Sequence, residues 1–436
     1  MTQVPSVRSV PPKPPYKAGD VLVVFGELFA RGYANGIVDE ALAAGLKVIY
    51  STVGRRDENS QLRPLTSEEL SKQPKDFINV PLEAGFDMEI ATSGKSPVDQ
   101  LHGVKMSEWS QAKLDWNSIE ESRKKGVERF RKNTAIYMEK LSPMIPKGAN
   151  VIFAHIMAGG VPRTKVIMPT MNKVFKGTGD RHLSSEQLFA SDLGKFSLIN
   201  FEEVTANTLT HLIDLSSGVR SQIEKGGGSV RYIAYGYHGT EILNQGRYEW
   251  QTYTPYFQGW AKMKLEQVAR DAEAKGITTS VYNCPEILTN SSSIFQGVEV
   301  SLYPLMAAIK KEAANSKYAQ SLLQKCQSLL KDEYKLDDVQ KFIEGYLSNP
   351  LMKQNNSDFE RWPRHNTKEQ MELMLESSDH LIEMHKDPKQ LITSVLSEEV
   401  FKATGLVMYR DSYKPQAPVL WLNHDVLAQV IANHLH

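Results

Sequence analysis

The chain has 436 residues, and Lys+Arg equal Asp+Glu at 51 each, a balance that excludes a chain-wide field for nucleic acid or an anionic membrane. Such a length calls for one large α/β domain with an added segment rather than a single small core. Two cysteines, Cys284 and Cys326, cannot build a disulfide framework and point to a reducing cytoplasm, and no apolar run reaches the roughly 18 residues of a membrane span.

Residues 1–19 carry Pro5, Pro11, Pro12, Pro14 and Pro15, which predicts an extended surface arm. The run VLVVF at 21–25 has the continuous apolar character of a parallel strand buried on both faces. Gly26, Gly32 and Gly36 follow, then a helix over 34–44 and a second strand over 47–53. A strand, a glycine turn and a helix hold a dinucleotide pyrophosphate. Gly26 would turn the chain off the strand, Gly32 would let backbone approach phosphate, and Gly36 would let the helix pack close to the sheet. Arg55 and Arg56 come where the adenosine ribose would lie. Arginine there can pair with a 2′-phosphate and points to NADPH, whereas Asp57 beside them leaves NADH open. A solvated charged loop is the plain structural alternative.

A third strand is expected over 77–82, an irregular insertion over 83–116, a helix over 118–141 and a fourth strand over 151–154. That alternation is the pattern of a doubly wound sheet. After the fourth strand, Ala158 and Gly159 make a small-residue turn of the kind that reaches a nicotinamide ribose. Residues 164–196 lack a clear period and suggest a flap over substrate. A helix over 201–224 then leads to a fifth strand over 230–235.

The chemistry is expected between 232 and 266, a segment rich in tyrosine and ending at Lys262. A lysine can hold the nicotinamide ribose and lower the effective pKa of a tyrosine, whose phenol serves the oxygen that gains charge. Three tyrosines compete. Tyr256, six residues before Lys262 and inside the first helical turn, points away from it at about 100° per residue. Tyr253, ahead of the helix, can fold back, and Tyr237 at the strand end faces the pocket. Aromatic packing is the structural alternative for all three.

These landmarks resemble the enoyl-acyl-carrier-protein reductases, a divergent branch of the short-chain dehydrogenase/reductase superfamily. Gly26, Gly32, Ala34 and Gly36 follow that family's first glycine turn, with Gly32 in place of a serine. Gly236 to Glu241 is similar to its Ser-Tyr-x-Gly-x-Glu segment, and Gly259 to Glu266 to its catalytic helix. After a sixth strand over 278–283, Pro285, Ile287 and Thr289 resemble the segment that closes over the nicotinamide carboxamide. The resemblance spans about residues 20–300 and implies reduction of an enoyl thioester, carried on acyl carrier protein or on coenzyme A. Two departures qualify it. The usual Tyr-x6-Lys spacing would fall on Pro255, whereas Tyr253 to Lys262 gives Tyr-x8-Lys, the spacing of a longer enoyl reductase type. Ketone-reducing members carry a serine where Gly236 stands, which speaks against carbonyl reduction. The resemblance thus implies Tyr253 as acid, Lys262 as ribose-binding cation and Tyr237 as oxygen stabiliser, with Tyr256 the competitor.

The expected fold is therefore α/β, a doubly wound, Rossmann-type parallel sheet with helical insertions. It divides into an arm (1–19), a reductase domain (20–300) and a mostly helical C-terminal extension (301–436) packed on it. Within the extension, 407–409 and 419–422 are expected as strands, and His424, His434 and His436 as a surface end without a metal. No nucleic acid is expected as a partner, and a homo-oligomer stays open. A carbonyl or polyketide reductase of the same fold, and a non-catalytic nucleotide-binding protein, are the rival readings.

Overall fold

The structure, a computed structural model, describes residues 5–176, 182–251, 257–289, 298–353 and 367–435. Seven strands form one parallel sheet: β1 (Val21–Glu27), β2 (Lys47–Thr52), β3 (Phe77–Pro81), β4 (Val151–His155), β5 (Val230–Gly236), β6 (Thr279–Asn283) and β7 (Val419–Trp421). Their order is β3-β2-β1-β4-β5-β6-β7. It reverses between β1 and β4, the place where a doubly wound sheet opens a crevice at its carboxyl edge.

Alternation along β1 explains the two layers. Val21, Val23 and Phe25 pack on one face with Phe130, Tyr137 and Leu141 of α2 (Trp116–Leu141) and with Leu265 and Ala269 of α4 (Phe257–Glu273). Leu22 and Val24 pack on the other face with Ile37 and Ala41 of α1 (Tyr33–Ala43) and with Val400 and Val407 of α5 (Ile392–Asp411). A parallel sheet needs both faces covered, and residues beyond 300 supply much of the second cover together with β7. The segment 407–409, expected as a strand, lies inside α5; only 419–421 joins the sheet. The arm is anchored, because Val7 N–H donates to Trp421 O and Trp421 N–H to Pro5 O, each at 3.0 Å, and Val7 is buried.

The structure adds three details, two of which change an expectation. The stretch 164–196 is largely helical, with Ile167–Lys176, Ser185–Ala190 and the start of α3 (Asp192–Glu202). The chain after β5 makes a hairpin of Thr240–Asn244 and Arg247–Gln251, turned by Gln245 and Gly246 at φ 47° and 76°; two left-handed residues give the twist a tight hairpin needs. His424 is fully buried at the start of α6 (His424–Asn433) rather than on the surface. His436 lies outside the described residues, and among those described no group of His, Cys, Asp and Glu could hold a metal. Among them no helix is long and apolar enough to cross a membrane.

Gly36 faces α5 rather than the sheet. A Cβ on it would lie 2.1 Å from Phe401 O, and one on Gly405 would lie 2.0 Å from Gly36 C. The two helices therefore cross backbone to backbone. Gly405→Ala should lower stability by at least about 2 kcal/mol, read as a urea midpoint, because backbone cannot yield as a side chain does. Gly345→Ala, at an exposed position of the helix Leu336–Leu347 where the added Cβ meets nothing within 4 Å, should instead be neutral or stabilising.

Candidate active site

Two cavities of about 190 Å³ each lie along the carboxyl edge of the sheet. They share Glu27, Phe29, Ile156 and Ala158, and so form one continuous trough over the switch point. Lys262, Tyr237, Gly32, Ala34, Ala158, Ile287 and Thr289 line the first cavity. The trough thus gathers residues from the first turn, the β4 end, the β5 end, α4 and the segment after β6.

Gly32 is the N-cap of α1, with extended backbone and open space where a Cβ would stand. No side chain caps this helix and its first turn has no acid, so its N–H groups and dipole are available to an anion. Gly26, at φ 123°, stands against Ile156 and Met157 and sets the bend at the end of β1; its N–H donates to Ser51 Oγ at 3.2 Å. Gly26 therefore shapes the trough without lining it, and Gly36 serves the α1–α5 crossing. Gly159 is likewise set back, with its carbonyl taken by Thr205 Oγ1 at 3.0 Å. That contact comes from a π-helical turn, Glu203–Asn207, just past α3, an irregularity often found beside functional sites.

Lys262 is 5 % exposed. Burial is the largest effect on its ammonium and lowers its pKa to about 8, against a small opposing influence from Cys284. No carboxylate among the described residues pairs with it. Cys284 does not supply a thiolate, since burial pushes its thiol well above the ordinary value. His155, at the end of β4, hydrogen-bonds through Nε2 with Thr208 Oγ1 at 2.8 Å, and burial, with Lys262 nearby, lowers its pKa to about 3. It stays neutral at physiological pH, so it is no proton donor.

Gly236 ends β5 under a steric rule. A Cβ there would lie 2.4 Å from Asn283 Oδ1, the atom that accepts the His238 N–H at 2.7 Å. Asn283 Nδ2 in turn donates to the buried Glu266 Oε1 at 2.9 Å. A serine of the carbonyl-reducing type would collide with this network.

Pro285 does not line the trough; its carbonyl accepts from the Tyr33 hydroxyl. Leu288 N–H donates to Ser397 Oγ of α5 at 2.9 Å, which ties the loop carrying Ile287 and Thr289 to the C-terminal helices. Tyr253 and Tyr256 lie outside the described residues. Tyr33, Tyr235, Gln258 and Glu27 also line the first cavity. Of these, Gln258 was recoverable, being one helical turn before Lys262 on the same face; nothing local in the sequence flags the others.

Arg55 and Arg56 are already engaged. Arg55 forks onto Glu27 through Nη1–Oε2 at 2.9 Å and Nη2–Oε1 at 2.8 Å. Arg56 Nε donates to Glu83 Oε1 at 2.9 Å, and its Nη2 binds the same carboxylate. Asp57 caps its own loop by accepting the Asn59 and Gln61 N–H groups at 2.9 Å.

The family model "Enoyl-acyl carrier protein reductase FabMG" matches residues 3–431. The chain belongs to the FabMG family of enoyl-acyl carrier protein reductases. A structure described as apo FabMG is 48 % identical over 99 % of this chain and 98 % of its own, with TM-score 0.95. One described as NADH-bound FabMG is 42 % identical over 98 % of each chain, with TM-score 0.79. No curated protein matches the chain. Membership in the FabMG family makes it an NAD(P)H-dependent oxidoreductase, and the trough fits that cofactor class through its uncapped helix N-terminus and its buried cation.

The Lys262 pKa has a thermodynamic consequence. Folding disfavours the ammonium, so the wild type is penalised below about pH 8 and regains stability as pH rises towards the unfolded value of 10.5. Lys262→Met should therefore be more stable than wild type at pH 7, by on the order of 3 kcal/mol. The difference should shrink by pH 10 in paired urea titrations; a gain independent of pH would contradict the assignment.

Proposed function

We propose that this protein reduces the 2,3 double bond of an enoyl thioester on acyl carrier protein, within fatty acid synthesis, using NADH. The observation that carries the reading is Lys262, a cation buried in the trough of a FabMG-family chain with no carboxylate partner among the described residues. Its place on a helix one strand before the carboxamide-type segment 285–289 also supports descent from the short-chain dehydrogenase/reductases, with the Tyr253-x8-Lys262 spacing. Free thiols at Cys284 and Cys326 fit a cytoplasmic setting.

A bound nicotinamide supplies a hydride to C3 of the substrate. The C2=C3 pair would then shift to C1=C2 as the carbonyl pair moves onto the thioester oxygen, and the enolate so formed would take a proton from solvent at C2. Tyr253 donates to that oxygen, with Tyr237 beside it from the end of β5 and Tyr256 the competing donor. Lys262 holds the nicotinamide ribose, and its positive field favours the charge that develops on the oxygen. The α1 N-terminus at Gly32 receives the pyrophosphate, and Ile287 and Thr289 flank the carboxamide. Enoyl rather than carbonyl reduction is favoured by Gly236, whose Cβ-less position leaves no room for a carbonyl-binding serine.

NADH rather than NADPH is favoured by the filled forks of Arg55 and Arg56 and by the NADH-bound relative. With crotonyl-CoA as acceptor, NADH absorbance should fall, and acetoacetyl-CoA should give little turnover. Tyr253→Phe and Lys262→Ala should each lower kcat by about 10²-fold or more. Undiminished turnover in either variant, or a preference for the ketone, would refute the corresponding part of the reading.

A further inference from the structure

A doubly wound nucleotide site reads the adenosine ribose with an acid at the end of its second strand. Here β2 ends in Ser51-Thr52 and offers none. A carboxylate nevertheless stands there, delivered by the last residue of β1. Glu27 Oε2 accepts from Thr52 Oγ1 at 2.7 Å, from Val53 N–H at 3.1 Å and from Arg55 at 2.9 Å. Among the described residues Oε1 accepts from Arg55 alone, at 2.8 Å. A carboxylate oxygen has two acceptor sites, so Oε1 keeps one for a further donor. Glu27 borders both cavities of the trough, between the Lys262 end and the end lined by Ala84, Gly85 and Asp87. With the pyrophosphate on α1, the adenosine ribose of a doubly wound dinucleotide site would fall on this side of the trough.

We infer that Glu27 selects NADH over NADPH, accepting a ribose hydroxyl on its open Oε1 and repelling a 2′-phosphate. This rests on the reading of the trough as a nicotinamide dinucleotide site. The arginines that follow β2 already face carboxylates. Arg55 is spent on Glu27, and Glu83 takes both Arg56 and, at 2.7 Å, Arg163. Arg55 is itself 40 % exposed, and an ion pair so exposed is weak. The contacts from Thr52 and Val53, which do not depend on Arg55, are what fix the carboxylate in place.

The test compares wild type, Glu27→Gln and Arg55→Gln, measuring Kd for NADH and NADPH by nicotinamide fluorescence and kcat/KM for both with crotonyl-CoA. Wild type should prefer NADH. Glu27→Gln should move both ratios towards NADPH by about tenfold or more, as expected when a hydrogen bond to a charged group is lost and a like charge removed. Arg55→Gln leaves the carboxylate and should keep the preference for NADH. The inference is overturned by equal use of both cofactors in wild type, by an unchanged ratio in Glu27→Gln, or by selective loss of NADPH binding in Arg55→Gln. Should Glu27→Gln fail to fold, Arg55→Gln decides alone, since a phosphate-reading arginine and an acid-holding one change NADPH affinity differently. Binding without turnover on any enoyl thioester would sink the proposed function and leave the cofactor preference readable from Kd.

Discussion

Everything at the trough depends on covering both faces of a parallel sheet, and on one face that cover closes through two glycines. Gly36 and Gly405 let α1 and α5 meet at backbone distance. The contact fixes the axis of α1, and with it the direction in which its uncapped N-terminus points. It also brings α5 near the segment after β6, where Ser397 holds Leu288. The C-terminal region thus acts on the site from behind, by aiming a helix dipole and by tethering the loop that carries Ile287 and Thr289.

Burial then sets the electrostatics. Lys262 is kept from water and, among the described residues, from carboxylates, so its charge is costly to the folded chain and available to a ligand that can share it. The neighbours stay neutral for the same reason: His155 is held below and Cys284 above their ordinary values. On the far side of the trough the logic reverses: Arg55 is paired with Glu27, and Arg56 and Arg163 share Glu83.

Strands β1 to β6 were legible because each is a short apolar run between turn residues, and the order of glycine turn, lysine helix and closing segment survived into the trough. Lys262, Tyr237, Gly32, Ala34, Ala158, Ile287 and Thr289, which the sequence places in that order, all line the first cavity. Partners distant in sequence were not legible. Gly36 seemed to serve the sheet because Gly405 is invisible from its neighbourhood, and Arg55 and Arg56 seemed free because Glu27 and Glu83 lie a strand away. The stretch 407–409 has strand composition, yet tertiary packing makes it helix. The hairpin after β5 was hidden because its turn is Gln-Gly rather than a stronger signal such as Asn-Gly.

The central claim is that a hydride passes from the nicotinamide to the alkene carbon of an enoyl thioester. Turnover of crotonyl-CoA with NADH deuterated at C4 on the transferring face, followed by mass spectrometry and NMR of the product, tests it most directly. The account predicts butyryl-CoA carrying a single deuterium, at C3. Deuterium at C2, or transfer only to the carbonyl carbon of acetoacetyl-CoA, would contradict it.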